Sequence, residues 1–190
     1  LDGSTALHHA SRSGDAATIA ELLRRGAAHN TVDHEGMSCL HVAAQNGHAA
    51  AAQLLLSGGA AADATDANGN TALGQLANFS KDDAATMAGV LLKGGANVDK
   101  VGESRWGLTA LHLASVRGNA GLTKVLLAAG AKVDTVAANF NGLTPLLFAA
   151  QQGHASVVEA LLDGGAALAA ASLDGSTALH HASRSGDAAT

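Results

Sequence analysis

The chain has 190 residues, of which 47% are hydrophobic and 14% are charged, and its formal net charge is −5 at pH 7. This apolar fraction is enough for a hydrophobic core and argues against disorder, while the lack of a basic block disfavours nucleic acid as a partner. No apolar run approaches the ~18 residues of a membrane-spanning helix. The single cysteine, Cys39, excludes an intramolecular disulfide but does not distinguish the cytoplasm from the cell exterior.

A Gly-x-Thr or Gly-x-Ser signal recurs along the chain, starting at Gly3, Gly36, Gly69, Gly107, Gly142 and Gly175. The intervals are 33, 33, 38, 35 and 33 residues. Each of the first five signals precedes a short helix pattern, a turn, and a longer apolar-periodic helix that ends in Leu-Leu and is followed by Gly-Ala. Glycine after the last helical turn is a common C-terminal cap, so the pattern predicts paired helices repeated along the chain. Because aromatic residues make up only 2%, we expect these helices to pack closely through small side chains.

Residues 1–18 return without a change at residues 173–190, an offset of 172 residues that matches the five intervals together. We interpret the chain as one period of a longer array plus a short overlap, with Leu1 lying inside a larger polypeptide. Terminal repeats normally carry a polar outer face, and neither end of this chain does. The duplicated end should leave Leu179 and Ala182 uncovered, which predicts that the array continues or that another copy stacks there.

The start sequence at residues 109–114, the Gly-His turns at residues 47–48 and 153–154, and the end sequence at residues 95–99 resemble the ankyrin-repeat family. The resemblance covers the whole chain and implies an all-α solenoid of stacked helix-turn-helix units with β-turn fingers, forming a single domain. The predicted units are five full repeats and a half repeat, at residues 1–33, 34–66, 67–104, 105–139, 140–172 and 173–190.

Several departures from the family pattern are informative. Repeat 3 lacks the turn glycine, and we interpret its three additional residues as a longer turn between its helices. The loops that leave repeats 3 and 4 are two residues longer than the others, and proline occurs only at Pro145. Such irregularities favour a natural repeat unit over a consensus design.

In ankyrin-like proteins the start-motif Thr and His hydrogen-bond each other and connect one repeat to the next. The resemblance implies this structural role for four pairs: Thr5 with His8, Ser38 with His41, Thr109 with His112, and Thr177 with His180. Gly74 and Leu147 stand in place of the histidine in repeats 3 and 5. We therefore expect looser joints at those two repeats.

The chain offers weak candidates for metal binding or catalysis. Adjacent residues on a helix point about 100° apart, so a pair such as His8 and His9 does not converge on one ion. We find no phosphate-binding glycine loop, and Cys39 fits a small core position, so we predict no metal, no cofactor and no enzyme activity. Asn78 begins an Asn-Phe-Ser tripeptide on the predicted inserted loop, which makes it a possible glycosylation site.

The resemblance also implies where a partner protein would bind, because ankyrin-like proteins usually meet partners at finger tips and exposed first-helix positions. Repeats 4 and 5 stand out, since they place the only Trp and a Phe at neighbouring finger tips beside an Arg, a composition typical of interface hot spots. The alternative is that Trp106 and Phe140 fold back over the lengthened loops. The candidate partner-binding residues are Arg105, Trp106, Leu108, Arg117, Phe140, Asn141, Leu143, Met37 and Phe79.

Two functional hypotheses follow. The first is a structural, non-enzymatic protein, a segment of a long iterated array that forms a fibre through end-to-end stacking, with or without lateral bundling. The alternative is an interaction scaffold that binds a partner through its concave face and finger tips. A third interpretation, in which the repeated end was added deliberately, predicts a folded monomer without assembly. None of the three involves nucleic acid or membrane insertion.

Overall fold

The computed structural model describes residues 2–79, 81–102 and 107–186, which form a stack of helix pairs. The first helix of each unit is short, and these helices are α1 (Ala6–Ser13), α3 (Cys39–Gln45), α5 (Ala72–Gln75), α7 (Ala110–Arg117), α9 (Pro145–Gln151) and α11 (Ala178–Ser185). The second helices are α2 (Ala16–Arg24), α4 (Ala49–Ser57), α6 (Lys81–Lys93), α8 (Ala120–Ala128) and α10 (Ala155–Asp163). A 3₁₀ turn, Leu76–Asn78, follows α5.

The first helices begin where the sequence places a hydroxyl side chain at the N-cap. Thr5, Ser38 and Thr109 each accept a hydrogen bond from the backbone N–H of the third helical residue, and the histidine at that position bonds back to the cap. This reciprocal capping box satisfies backbone groups that a helix of about two turns would otherwise leave unpaired. Helix α1 ends at Gly14, which adopts the left-handed conformation with φ of 71°.

The units stack so that like helices pack on like helices. Helix α1 packs against α3, and the series continues through α5, α7 and α9 to α11, while the second helices form a parallel series from α2 to α10. The core between the two layers consists mainly of leucine and alanine, and it includes Leu40, Leu73, Leu111, Leu146, Leu55, Leu91, Leu126 and Leu161. Because each unit buries its apolar face on its neighbours, stability accrues along the stack.

The segments between units form β-turns, which we call fingers. Among the described residues the only β-structure is an isolated antiparallel bridge at the base of four fingers. These are finger 2 (residues 32–38), finger 3 (residues 65–71), finger 5 (residues 137–143) and finger 6 (residues 171–177). The prediction of an all-α solenoid with β-turn fingers is thus confirmed in its architecture.

The prediction of a longer inter-helix turn in repeat 3 was wrong. Helix α6 has 13 residues, whereas α2, α4, α8 and α10 each have 9. The additional residues extend the start of this second helix, since a backbone segment with helical neighbours to pack on gains hydrogen bonds by remaining helical.

The duplicated sequence occupies two different environments. Leu7 of α1, which packs on α2 and α3, is 2% exposed, while its counterpart Leu179 in α11 is 74% exposed. The reverse holds on the opposite face of the same helix, where His9 is exposed and His181 is 5% exposed. The prediction that Ala182 is uncovered was wrong, since Ala182 is 5% exposed and lies in the helix that packs on α9. Identical local sequence therefore acquires its burial from the repeat that lies beside it.

No helix in the described part of the chain has the length and apolar character that a membrane span requires.

Candidate binding groove

A groove of about 520 Å³ lies on the side of the stack that carries the fingers and first helices, spanning repeats 4, 5 and 6. Its apolar walls come from finger 5, from α7 and α9, and from the residue before the N-cap of α7. They are formed by Leu108, Leu113, Val116, Phe140, Leu143 and Phe148. This volume falls within the range of about 300–1,000 Å³ that is common for binding sites.

Three rings contact one another edge-to-face in the wall of the groove. The imidazole of His112 meets the ring of Phe148 edge-on at 5.9 Å and 89°, and Phe140 meets Phe148 at 5.5 Å and 74°. Both are the T-shaped arrangement that aromatic pairs prefer. Phe148 is 5% exposed and Phe140 is half-buried, so Phe140 both packs inward and lines the groove. The two alternatives considered for Phe140, an exposed contact and a folded-back cover, each describe part of its position.

The backbone of finger 5 places Phe140 in this position. Asn141 and Gly142 have φ angles of 50° and 70°, and the N–H of Leu143 donates to the carbonyl oxygen of Phe140 at 2.9 Å. Two successive positive φ angles are the requirement of a type I′ turn, for which Asn-Gly is the preferred sequence. A Cβ at position 142 would also lie 3.0 Å from Leu173 Cγ, so glycine permits the close approach of finger 6.

Polar side chains lie at the two ends of the groove. Asn141 and Asp174 line the finger end, while the opposite end, where α7, α9 and α11 terminate, is lined by Arg117, Gln151, Gln152 and Arg184. The groove is therefore polarised, with its carboxylate on the finger side and both of its guanidinium groups on the side of the helix ends.

Asp174 and His181 form a small polar network at the repeat 6 wall. The Asp174 carboxylate accepts hydrogen bonds from Ser172 Oγ at 2.7 Å and from the Ser176 N–H at 3.0 Å, and these bonds hold its pKa well below its usual range. Burial lowers the pKa of His181, an effect that the Asp174 charge opposes and the Arg184 charge reinforces. The network keeps a fixed negative charge at the finger end of the groove.

Five of the candidate partner-binding residues line this one groove: Leu108, Arg117, Phe140, Asn141 and Leu143. The sequence-based candidates did not include the repeat 6 wall, formed by Asp174, His181 and Arg184. Arg105 and Trp106 lie outside the described residues.

The two remaining candidates lie elsewhere. Phe79 is half-buried and lines a separate, smaller pocket of about 190 Å³ beside α3 and α6. Met37 is 7% exposed, its carbonyl oxygen lies 3.0 Å from His8 Nε2, and Gln75 Nε2 lies 3.6 Å from its sulfur. Its contacts are thus mostly within the stack.

Two of the start-motif histidines, His8 and His41, connect consecutive units, and His112 bonds to the loop that closes its own repeat. In each of the four pairs the hydroxyl oxygen lies 2.8–2.9 Å from the imidazole Nδ1, and the pairs are Thr5–His8, Ser38–His41, Thr109–His112 and Thr177–His180. The cap N–H also donates to Nδ1, so the ring proton resides on Nε2. From Nε2, three of these rings donate to a carbonyl oxygen further along the chain, at Met37 (3.0 Å), Asn70 (3.1 Å) and Thr135 (2.9 Å).

Repeats 3 and 5 lack this connection. Thr71 and Thr144 still cap their helices by accepting from the N–H of Gly74 and Leu147, but neither of these residues has a side chain that can bond onward. In repeat 3 the vacant space is occupied by Leu113, whose Cδ1 lies 3.3 Å from the Cβ position of residue 74. That the two joints are looser stays a prediction.

A second inter-repeat series, which the sequence analysis missed, runs along the loops that follow the second helices. An Asn or Asp side chain accepts a hydrogen bond from a backbone N–H in the next repeat, in the pairs Asn30–Ala61, Asp63–Asn97, Asp99–Lys132 and Asp134–Ala167, at 2.8–3.1 Å. The repeat spacing of these four side chains was a signal that could have revealed it. The series ends at Ala169, which has no acceptor in its side chain.

Other histidines also serve the stack. His48 and His154 at the inter-helix turns lie 3.1 Å from the carbonyl oxygens of Arg12 and Val116 in the preceding repeat. Within residues 2–79, 81–102 and 107–186, no three His, Cys, Asp or Glu side chains form a group that could hold a metal ion.

Asn78, the possible glycosylation site, is exposed in the 3₁₀ turn after α5 rather than on an inserted loop. Its Oδ1 accepts a hydrogen bond from Arg117 Nε at 2.9 Å. Ser80, the last residue of the acceptor tripeptide, lies outside the described residues, so glycosylation stays a prediction.

Comparisons with known proteins agree on one family. A family model described as ankyrin repeats (3 copies) matches residues 7–101, 40–137, 80–170 and 121–190. Among solved structures, the ankyrin repeat domain of Bcl-3, described as a unique member of the IkappaB protein family, has 28% sequence identity and a TM-score of 0.88. The match covers 100% of this chain and 84% of that one. No curated protein matches the chain.

Proposed function

Because this chain belongs to the ankyrin-repeat family, whose repeats are protein-protein interaction modules, we propose that it is a scaffold that binds a segment of a partner protein in the groove of repeats 4 to 6. The observation that carries the proposal is the groove itself, with apolar walls on repeats 4 and 5, a polar wall on repeat 6, and polar side chains at both ends.

The composition of the groove favours binding over a purely structural role. Leu113, Val116 and Phe140 remain partly exposed, although polar residues at these positions would be equally compatible with the helix stack. Contiguous apolar surface rimmed by polar side chains marks interaction sites, whereas isolated exposed leucines do not. The walls of the groove are already ordered in the stack. The protein would therefore lose little conformational entropy on binding a partner side chain, and most of the free energy of burying that side chain would contribute to affinity.

Phe140→Ala tests this function, with Phe79→Ala as a matched control that removes a half-buried phenylalanine from the other pocket. Peptides would be selected from a random display library on the intact chain, and their affinities for both variants measured by fluorescence anisotropy. We expect Phe140→Ala to weaken binding by tenfold or more and Phe79→Ala to leave it unchanged, while both retain the helical circular dichroism. Equal affinity of the two variants would overturn the proposal.

We propose that the chain acts by binding and not by catalysis, because its candidate nucleophiles are not activated. Burial raises the pKa of the Cys39 thiol to about 11, so the thiol is a poor nucleophile at neutral pH. Ser11 Oγ donates to the carbonyl oxygen of Leu7 at 2.7 Å, which engages its proton within the helix and not with a base.

A second function, a shaft built by end-to-end stacking of further units, is supported by one observation. The face of α11 around Leu179 is exposed, whereas the identical sequence around Leu7 is buried in α1, which packs on α2 and on α3 of repeat 2. We propose that a further unit of the same kind packs on this face. Electron microscopy of the purified protein would then show regular filaments, and a monodisperse monomer under all conditions would contradict the shaft.

The intact mass of the polypeptide from its native source would distinguish two ways in which a shaft could form. A denaturing intact mass far above 18.6 kDa, with the same peptides recurring on proteolysis, indicates a covalent array. A mass of 18.6 kDa requires that separate copies stack.

A further inference from the structure

We propose that the groove of repeats 4 to 6 takes a partner segment in which apolar side chains lie within a few residues of carboxylates, and that Arg117 and Arg184 bind carboxylates of this segment. This inference rests on the proposed binding function and assigns the chemistry of the partner.

The charge of the groove runs opposite to that of the chain. The protein as a whole carries −5, yet the groove is lined by two arginines and one aspartate. The Asp174 carboxylate is already engaged by the hydroxyl of Ser172 and the N–H of Ser176, and it lies at the finger end. The helix end of the groove is therefore a local positive region on an acidic protein, and such regions attract anions.

The two guanidinium groups lie on the two outer units of the groove, so each can bind a different carboxylate of one extended segment. Arg117 is the last residue of α7 and Arg184 lies in the last turn of α11, so they occupy the two outer units of the groove, with Gln151 and Gln152 between them. Asn78 Oδ1 accepts from Arg117 Nε, which orients this guanidinium. In the part of the chain that the structure describes, no acceptor binds the terminal nitrogens of Arg117 or Arg184. A carboxylate can bind such nitrogens through two parallel hydrogen bonds.

A structural role for these arginines is the competing explanation. Both lie in the last turn of a helix, where the helix dipole stabilises a cation. That role requires only a charge near the helix end, and it does not require a neighbouring apolar cavity. The groove between the two helices adds the apolar contact that a peptide side chain would fill, through Leu113, Val116 and Phe148.

The exact duplication supplies a matched control. Arg12 lies in the same sequence as Arg184 and at the same position of its helix, but it does not line the groove. A loss of peptide binding in Arg184→Ala that is absent in Arg12→Ala therefore reports the groove and not the helix end.

The experiment selects peptides from a random display library on the intact chain, and measures the affinity of the most enriched synthetic peptide by fluorescence anisotropy. We expect the enriched peptides to pair Leu, Ile, Met, Phe or Trp with a nearby Asp or Glu. Arg117→Ala with Arg184→Ala should weaken binding at least tenfold, and Arg12→Ala should leave it unchanged. In the charge-reversed variant, Arg117→Glu with Arg184→Glu, the library should yield Lys or Arg in place of the acidic residue.

Three outcomes would overturn the inference. The enriched peptides could lack acidic residues and bind in a way that depends on Phe140 but not on the arginines. That result would support the binding function and contradict the recognition of a carboxylate. Binding that depends on neither Phe140 nor the arginines, or no enrichment at all, would remove both. Sedimentation of the chain alone as a dimer that Phe140→Ala dissociates would place a second copy in the groove instead.

Discussion

The imidazole of His112 connects repeat 4 to the following loop only in its neutral form. Its Nδ1 accepts from the Thr109 N–H and hydroxyl, and its Nε2 donates to the Thr135 carbonyl oxygen. Protonation of Nδ1 would place a second ring proton against the Thr109 N–H, which already donates to this nitrogen. Burial also disfavours the positive charge of the imidazolium. Burial lowers the pKa of His112 from 6.5 to about 4.

The lowered pKa of His112 predicts a loss of stability in acid. The unfolded chain binds the proton more tightly than the folded one, so the contribution of His112 to the free energy of unfolding is complete above pH 6.5 and is lost as the pH falls toward 4. The loss is on the order of 3 kcal/mol. Urea denaturation at a series of pH values measures it.

His112→Gln provides the control for this pH dependence, because glutamine does not titrate. The variant should be less stable at neutral pH, but its free energy of unfolding should fall less steeply between pH 6.5 and 4. His41, whose pKa burial also lowers, accounts for part of the slope that remains. The same slope in both proteins would contradict the prediction.

Cys39 gives a residue-scale probe of opening between repeats 1 and 2. Its side chain is 0% exposed, and burial raises the pKa of its thiol to about 11. We expect native Cys39 to react with a thiol reagent at pH 8 slower, by on the order of a hundredfold or more, than the urea-unfolded chain does. Ser57→Cys places an exposed thiol at the end of α4 as a control that should react rapidly in the native state. Fast native labelling of both sites would mean that repeats 1 and 2 open readily.

At the scale of elements, the loop side chains that connect successive repeats should each add stability. Asp99 Oδ1 accepts from the Lys132 N–H at 2.9 Å, and Asp99→Ala removes this bond. Because water can replace the carboxylate at this exposed site, we expect the free energy of unfolding to fall by only about 0.5–1.5 kcal/mol. Asp163→Ala is the control, since Asp163 ends α10, where a negative charge opposes the helix dipole. Equal losses in both variants would mean that the bond contributes nothing.

The helix pairs and fingers could be predicted from sequence because their signals are local. Hydroxyl caps mark where the first helices begin, glycines mark where helices end, and leucine periodicity marks the buried face. Each unit could therefore be recognised from its own sequence. The three additional residues of repeat 3 could not be placed in this way. Whether they join a turn or a helix depends on the packing of α6 against α4 and α8, which lies outside the local sequence.

The groove could be predicted only in part, and the duplicated sequence explains why. Finger tips and helix ends of repeats 4 and 5 were identified, but Asp174, His181 and Arg184 were not. The same three residue types occur at positions 2, 9 and 12, where they line no part of the groove. The two copies of the duplicated segment have the same sequence, so local sequence cannot show which copy lines a groove. The repeat that precedes the segment determines this.

At the scale of the whole molecule, each unit touches only its neighbours, so damage at one end should not reach the other. Helix α1 packs on α2 and α3, and α11 packs on α9. The duplication allows the same eighteen residues to be deleted from either end, as residues 1–18 or as residues 173–190. These deletions remove the same side chains and the same charge.

Hydrogen exchange would then separate the two ends. Deletion of residues 173–190 should speed exchange in α9, because it uncovers the helix that α11 packs on, and should remove the repeat 6 wall of the groove. Deletion of residues 1–18 should speed exchange in α2 and α3 and leave α9 unchanged. Faster exchange in α9 after deletion of residues 1–18 as well would mean that the stack unfolds as one unit, and a peptide in the groove would then be coupled to the far end of the solenoid. If exchange stays local, binding in repeats 4 to 6 is independent of whatever covers the other end.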